Sequence, residues 1–133
     1  MTILKGIFGA MCTPFQENGK GIDIPRYQSH IDDLLEAGVH GLVLCSGTGE
    51  YAYLTDEEKH TLIQEGVKHI NCRCPTIAQT TALSTNECID KARAAEDAGA
   101  SAIMVMPPFL EPPSERGVIY HYEAIAKAVR IPI

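Results

Sequence analysis

Short apolar runs alternate with longer amphipathic stretches along the whole chain. Four runs of strand length are almost uniformly apolar, at residues 7–12, 41–45, 75–79 and 102–106, and a fifth begins at Ile131. Such runs are typical of strands that are covered on both faces in a parallel sheet. The alternation therefore predicts repeated strand-helix units of the α/β class.

The stretches between these runs carry helical signals. Their apolar residues recur at helical spacing, as in Tyr27, Ile31, Leu34 and Leu35, and again in Ile119, Tyr122, Ile125, Ala126 and Val129. Two capping boxes, in which a hydroxyl and a glutamate satisfy each other's backbone N–H groups, are predicted at Thr55-x-x-Glu58 and Ser84-x-x-Glu87. Pro25 suits the first turn of a helix, where its missing N–H has no cost.

One joint between helix and strand occurs twice, at residues 36–44 and 97–105. In both copies a glycine, Gly38 or Gly99, suits the left-handed residue that closes a helix. The alternation of strands and helices is compatible with both a doubly wound sheet and a closed barrel. An eight-unit barrel needs roughly 250 residues, so four units in 133 residues favour the amino-terminal half of one (β/α)8 TIM barrel domain over residues 1–133, with the remainder of the barrel absent.

Composition narrows the function classes. The formal charge of -6 and the lack of a basic cluster argue against a nucleic-acid partner. No segment predicts a membrane span or a signal peptide, so we expect a cytoplasmic protein. The five cysteines include one C-x-C pair, Cys72 and Cys74, but no second ligand pair for zinc. We therefore predict reduced thiols and no metal or cofactor.

Candidate chemistry lies at the carboxyl ends of the predicted strands, where parallel α/β folds gather their reactive groups. Ser46-Gly47-Thr48-Gly49-Glu50 follows the second run directly. Glycines that adopt positive φ can turn successive N–H groups toward one anion, and the Thr48 hydroxyl can add to them. A small carboxylate fits such a site, and the motif is neither a P-loop nor a dinucleotide fingerprint. A plain tight turn is the alternative.

Other polar residues offer weaker candidates. We expect the Glu50 carboxylate to hold its loop by accepting backbone N–H bonds rather than to act as an acid or base. Thr80 and Thr81 end the third run, where they either cap and fill or bind. None of the five histidines falls on a loop that follows a strand, so none is a convincing general base.

Taken in order, the motifs at residues 13–15, 46–50, 54–58 and 106–109, with Ser114-Glu115 after them, resemble the dihydrodipicolinate synthase and N-acetylneuraminate lyase family. That resemblance implies one (β/α)8 barrel, assembled as a homotetramer. It also implies a lyase in which a lysine forms a Schiff base with pyruvate or another 2-oxo acid.

The resemblance assigns roles within the chain. Gly47 and Thr48 would bind the substrate carboxylate, with Thr13, Glu50 and Phe109 in supporting positions. The catalytic lysine belongs to the sixth strand of the family and the relay tyrosine to the fifth, both beyond residue 133. All six lysines present are predicted on helices or in the first segments of the chain. We therefore expect no catalytic residue here, and no activity from residues 1–133 alone.

Two departures from the synthase pattern bear on the substrate. Ser46-Gly47-Thr48 replaces a glycine followed by two threonines, which removes one hydroxyl, and Phe109 stands where synthases place a tyrosine of the proton relay. Both changes favour aldolases or dehydratases of sugar-derived 2-oxo acids. The competing hypothesis is a half-barrel without catalysis that binds a small carboxylate or associates with itself.

Overall fold

The computed structural model describes residues 4–17, 19–111 and 113–133. Strands and helices alternate along this part of the chain, in four units. The strands are β1 (Phe8–Ala10), β2 (Gly41–Leu44), β3 (Thr76–Gln79) and β4 (Ala102–Met104). The α-helices are α1 (Ile24–Glu36), α2 (Asp56–Ile70), α3 (Thr85–Asp97) and α4 (Glu115–Ala128), and a 3-10 turn spans Tyr51–Tyr53. The predicted architecture is confirmed.

The four strands form one parallel sheet in the order of the sequence, β1-β2-β3-β4. Each strand is shorter than its apolar run; β1, β2 and β4 end before the run does, whereas β3 begins one residue later than its run. Met11, for example, lies beyond β1 but donates its N–H to the Val43 carbonyl at 3.0 Å. The predicted fifth run, which begins at Ile131, makes one hydrogen bond to β4: the Pro132 carbonyl accepts the Ile103 N–H at 2.9 Å.

The core lies between the sheet and its helices. Leu42, Leu44 and Ala78 are fully buried against that layer, whereas Val43 on the other face is only half-buried. Ile7, which precedes β1, is 70% exposed. The runs are therefore apolar on both faces, as predicted, but helices cover one face only in this part of the chain.

The repeated joint closes α1 and α3 in the same way. Gly38 and Gly99 have φ values of 84° and 94°. The residue after each glycine donates its N–H five residues back, from Val39 to Leu34 at 3.3 Å and from Ala100 to Ala95 at 3.0 Å. This is the Schellman arrangement, which satisfies the last helical carbonyls, and it confirms the predicted left-handed glycines.

The predicted helix starts are confirmed in two cases and corrected in one. Thr55 and Glu58 form a full capping box, and Pro25 is the second residue of α1. Ser84 caps α3 by accepting the Glu87 N–H, but Glu87 Oε2 accepts from the Ser84 hydroxyl at 3.2 Å instead of from its backbone N–H.

Among the described residues, none of the helices has the length and apolar character of a membrane span.

A buried histidine joins the last two helices. His121 is 1% exposed, and its Nδ1 lies 3.0 Å from the Thr85 hydroxyl at the start of α3. Its Nε2 is buried and has no hydrogen-bond partner among the described residues. Burial lowers the pKa of His121 because the charged ring would lose its hydration.

This histidine should make stability depend on pH. Because its folded pKa is lowered, the unfolded chain binds the proton more readily, so the free energy of unfolding falls as pH drops below about 6.5. We expect His121→Asn, which keeps a polar atom near Thr85, to flatten that dependence. Denaturant unfolding between pH 5 and pH 8 would measure it. Equal slopes for the two proteins would contradict the prediction.

Candidate functional site

In the loop that follows β2, the first two carbonyl groups accept hydrogen bonds from N–H groups that come later in the chain. The Ser46 carbonyl accepts the N–H groups of Gly49 at 3.0 Å and of Tyr51 at 3.2 Å, and the Gly47 carbonyl accepts that of Glu50 at 3.1 Å. The carbonyl groups of Ser46 and Gly47 therefore point toward the inside of the loop. The loop continues into the 3-10 turn at Tyr51–Tyr53 and then into α2.

Two backbone donors at the start of this loop are free. Within the described residues, the N–H groups of Gly47 and Thr48 make no hydrogen bond to the protein, and both residues are exposed. The first N–H groups of a helix-like turn lack intrachain partners for the same reason as those of a helix. Two adjacent donors with a hydroxyl beside them suit a carboxylate.

The backbone conformation of the loop differs from the prediction. Neither Gly47 nor Gly49 has a positive φ; Cys45 and Glu50 do, at 57° and 59°. For residues other than glycine this conformation costs roughly 1–2 kcal/mol each. The expectation that glycine flexibility turns the N–H groups is therefore wrong, because the two bends lie outside the glycine pair.

Gly49 is instead required by close packing. A Cβ atom there would lie 2.9 Å from the Met11 carbonyl oxygen and 3.2 Å from Thr13 Oγ1. Thr13, which is buried, donates its hydroxyl to the Gly49 carbonyl at 2.7 Å. The end of β1 thus touches the loop after β2. A Cβ at Gly47 would meet nothing within 4 Å.

Glu50 supports the loop through its backbone and not through its side chain. Its N–H donates to the Gly47 carbonyl at 3.1 Å, and its own carbonyl accepts from Tyr53 at 2.8 Å. The carboxylate is exposed and accepts no backbone N–H from the described residues. The expected role of the carboxylate is therefore wrong, because the left-handed backbone at Glu50 performs the stabilising function.

Phe109 lies near the loop's far end. It is 54% exposed and lines a groove of about 400 Å³ together with Tyr51, Ala52 and Leu83. It therefore stands beside the residues that follow the loop.

Ser46, at the start of the loop, is buried and its hydroxyl has no hydrogen-bond partner in the described structure.

Thr80 and Thr81 lie where β3 ends beside β4. Both are 1% exposed, the Thr81 hydroxyl accepts the Met106 N–H at 2.8 Å, and the Thr80 N–H donates to the Met104 carbonyl at 3.0 Å. These bonds join the ends of β3 and β4. For Thr81 the contacts support capping and filling, whereas the Thr80 hydroxyl is buried without a hydrogen-bond partner in the described residues.

An ion-pair cluster behind the loop was not predicted. Asp56 Oδ1 lies 2.9 Å from the Lys91 ammonium and 3.3 Å from that of Lys59. The bond from Lys91, with a smaller contribution from Lys59, lowers the pKa of Asp56. The pairs join α2 to α3 beside a cavity of about 270 Å³. Asp56 and Lys91 are 35 residues apart, so no local pattern indicated the contact.

The six lysines lie in the parts of the chain where the sequence predicts them. Lys59, Lys68, Lys91 and Lys127 lie on helices, and each pairs with a carboxylate. Lys5 precedes β1, and Lys20 lies between β1 and α1.

The two glycines of the loop should respond differently to the same substitution. Gly49→Ala forces backbone atoms apart, so we expect the free energy of unfolding to fall by about 1–3 kcal/mol. Gly47→Ala adds a methyl group in open space, so we expect a change within about 0.5 kcal/mol. Denaturant unfolding of both variants would test this, and equal losses would contradict the packing argument.

The hydrogen bond from Thr13 can be tested in the same way. Thr13→Val removes the donor and leaves the Gly49 carbonyl buried and unpaired, which should cost about 1–3 kcal/mol of stability. Thr13→Ser keeps the hydroxyl and should recover most of that loss. If the serine variant were as unstable as the valine variant, the hydrogen bond would not be the cause.

Comparison with known proteins places this geometry in a family. The model of the "Dihydrodipicolinate synthetase family" matches residues 3–133. A 4-hydroxy-tetrahydrodipicolinate synthase of Methanospirillum hungatei is 38% identical over 93% of this chain, and one of Nitrosospira multiformis is 40% identical over 97%. In both cases the match covers 43% of the relative.

Solved structures agree. The dihydrodipicolinate synthase of Acinetobacter baumannii, complexed with pyruvate, superposes with a TM-score of 0.93 at 35% identity, over 98% of this chain and 44% of that one. A prophage protein of the dihydrodipicolinic acid synthase family from Escherichia coli K12, also complexed with pyruvate, gives 0.93 at 31% identity over the same shares. This chain spans less than half the length of these relatives, and it belongs to the dihydrodipicolinate synthetase family.

Proposed function

We propose that this chain is the amino-terminal half of a Schiff-base-forming lyase or aldolase that acts on pyruvate or a sugar-derived 2-oxo acid. In this proposal Gly47 and Thr48 bind the substrate carboxylate, and the enzyme is a cytoplasmic homotetramer. The observation that carries the proposal is the pair of free backbone donors at Gly47 and Thr48, at the carboxyl end of a strand in a parallel sheet.

The electrostatics of the loop support a single carboxylate. Two N–H groups and one hydroxyl can satisfy its two oxygens, and hydrogen bonds to a charged group are shorter and stronger than neutral ones. The hydrogen bond from the Thr13 hydroxyl to the Gly49 carbonyl restrains the loop without any contribution from a ligand. Donors that are already oriented spend little free energy on ordering when the ligand binds.

The relatives support the choice of ligand class. Two of the similar structures were solved with pyruvate, and pyruvate is a small 2-oxo acid with one carboxylate. The covalent step, attack of a lysine amine on the ketone with loss of water, requires an amine that the six lysines here do not supply. In the proposal, therefore, this half holds the substrate, and the lysine lies in residues that follow.

The finer choice of substrate rests on Gly47 and Phe109. The space above Gly47 is open, so a larger 2-oxo acid can approach the loop more closely than where a threonine fills that position. Phe109 has no hydroxyl and cannot pass on a proton. Both features favour an aldolase or dehydratase of a sugar-derived 2-oxo acid over a synthase.

Thr48 provides the direct test of carboxylate binding. Thr48→Val removes the hydroxyl at nearly constant volume, and a hydrogen bond to a charged group is worth about 1.5–3 kcal/mol. We therefore expect pyruvate binding to weaken roughly 10-fold or more. Thr48→Ser should bind nearly as well as the natural protein. Because Thr48 is exposed, neither variant should change stability by more than about 0.5 kcal/mol, and calorimetric titration would measure the binding.

Borohydride reduction in the presence of pyruvate tests the location of the nucleophile. A Schiff base is reduced to a stable amine, and the modified lysine can be found by peptide mapping. We expect no label on Lys5, Lys20, Lys59, Lys68, Lys91 or Lys127. In a longer form of the protein the label should fall after Ile133. A label on any of these six residues would show that the lysine assignment is wrong.

The alternative function, a half-barrel without catalysis that binds a carboxylate or associates with itself, rests on the exposed apolar face. Ile7, Met104 and Met106 are 70%, 38% and 41% exposed. An open sheet with such a face tends to pair with another copy. Sedimentation of residues 1–133 would distinguish the cases, since a well-dispersed monomer argues against self-association.

A further inference from the structure

The turn between α2 and β3 holds a cysteine in a conformation that favours glycine. Asn71 and Cys72 have φ values of 46° and 62°, and the Arg73 N–H donates to the Ile70 carbonyl at 3.0 Å. Two left-handed central residues define a type I′ turn, for which Asn-Gly is the preferred pair. Cys72 stands in the glycine position, at a cost of roughly 1–2 kcal/mol.

Arg73 fixes this turn to two helices. Its Nε donates to the Ile70 carbonyl at 3.0 Å, and one Nη lies 2.7 Å from Asp32 on α1. His69 on α2 lies 2.9 Å from the other oxygen of Asp32. The hydrogen bonds from His69 and Arg73 lower the pKa of Asp32. These contacts fix the positions of Cys72 and Cys74, which lie on either side of Arg73.

Those two residues are thiols. Cys72 is exposed and Cys74 is half-buried, both are reduced, and both line a groove of about 620 Å³ at the end of α2. Among the described residues no three His, Cys, Asp or Glu side chains converge, so a zinc site with its four ligands does not form here. Two adjacent thiols without further ligands favour disulfide chemistry.

We propose that Cys72 and Cys74 form a reversible dithiol–disulfide pair that is oxidised by low-molecular-weight disulfides such as oxidised glutathione. The Cys72 thiolate attacks one sulfur of the oxidant, which forms a mixed disulfide and releases one glutathione thiolate. The Cys74 thiolate then attacks the Cys72 sulfur and releases the second. The two protein thiols are oxidised, one oxidant disulfide is reduced, and the two protons pass to solvent.

The spacing supports a labile bond. Two residues of chain span at most about 7 Å between their Cα atoms, and disulfides require about 4.4–6.8 Å. The ring would close over Arg73 alone, so it should be strained and easily reduced, as redox-responsive disulfides are. The pair lies before β3, at the opposite end of the sheet from Gly47 and Thr48. It does not depend on the proposed function.

Trypsin provides a sharp test, because it cleaves after Arg73, between the two cysteines. The folded protein would be incubated with oxidised glutathione, quenched with acid, alkylated and digested. We expect peptides 69–73 and 74–91 to remain joined, with a mass two hydrogens below their sum. Reduction before alkylation should separate them. Fragmentation must place the link at Cys74 and not at Cys88, which is buried.

Two controls come from the same chain. In Cys74→Ser we expect Cys72 to retain one glutathionyl group, because no second thiol displaces it. Cys12, an exposed thiol outside the turn, should retain a glutathionyl group in every variant. The proposal is wrong if Cys72 keeps its glutathionyl group in the natural protein as it does in Cys74→Ser, or if the joined peptides persist in that variant.

Discussion

The contact between the end of β1 and the loop after β2 determines the candidate site. Thr13 donates a buried hydrogen bond to the Gly49 carbonyl, and Gly49 leaves no space for a side chain against Met11. This contact fixes the direction of the loop as it leaves the sheet. Within the described residues, the N–H groups of Gly47 and Thr48 make no hydrogen bond to the protein, and both residues are exposed. The conformation of this exposed loop thus depends on its packing against the end of β1.

Much of the fold could be predicted because its signals are local. The glycine joints after α1 and α3 depend on a few consecutive residues, and so does the capping box at Thr55. Strand ends were less predictable, since an apolar run continues past the last paired residue. Met11 is as apolar as the strand before it and still bonds to Val43, so the apolar pattern does not indicate that β1 ends at Ala10.

The conformation of the candidate loop could not be predicted from its sequence. The glycines were expected to make the bends, whereas Cys45 and Glu50 have the positive φ values. Tertiary packing overrides the local preference there, because Gly49 is needed for its small size. The Asp56 cluster is beyond such reasoning, since its partner Lys91 comes from another helix.

Each strand pairs with the strand that precedes it in sequence, and the Pro132 carbonyl continues this rule on β4. Among the described residues, each hydrogen bond between these four strands joins neighbouring units, so each step closes a loop of only one strand-helix unit. During translation, at roughly 5–20 residues per second, each unit can dock as soon as it leaves the ribosome. The growing edge of the sheet then acts as a template for the next strand, and the order of synthesis becomes the order of assembly.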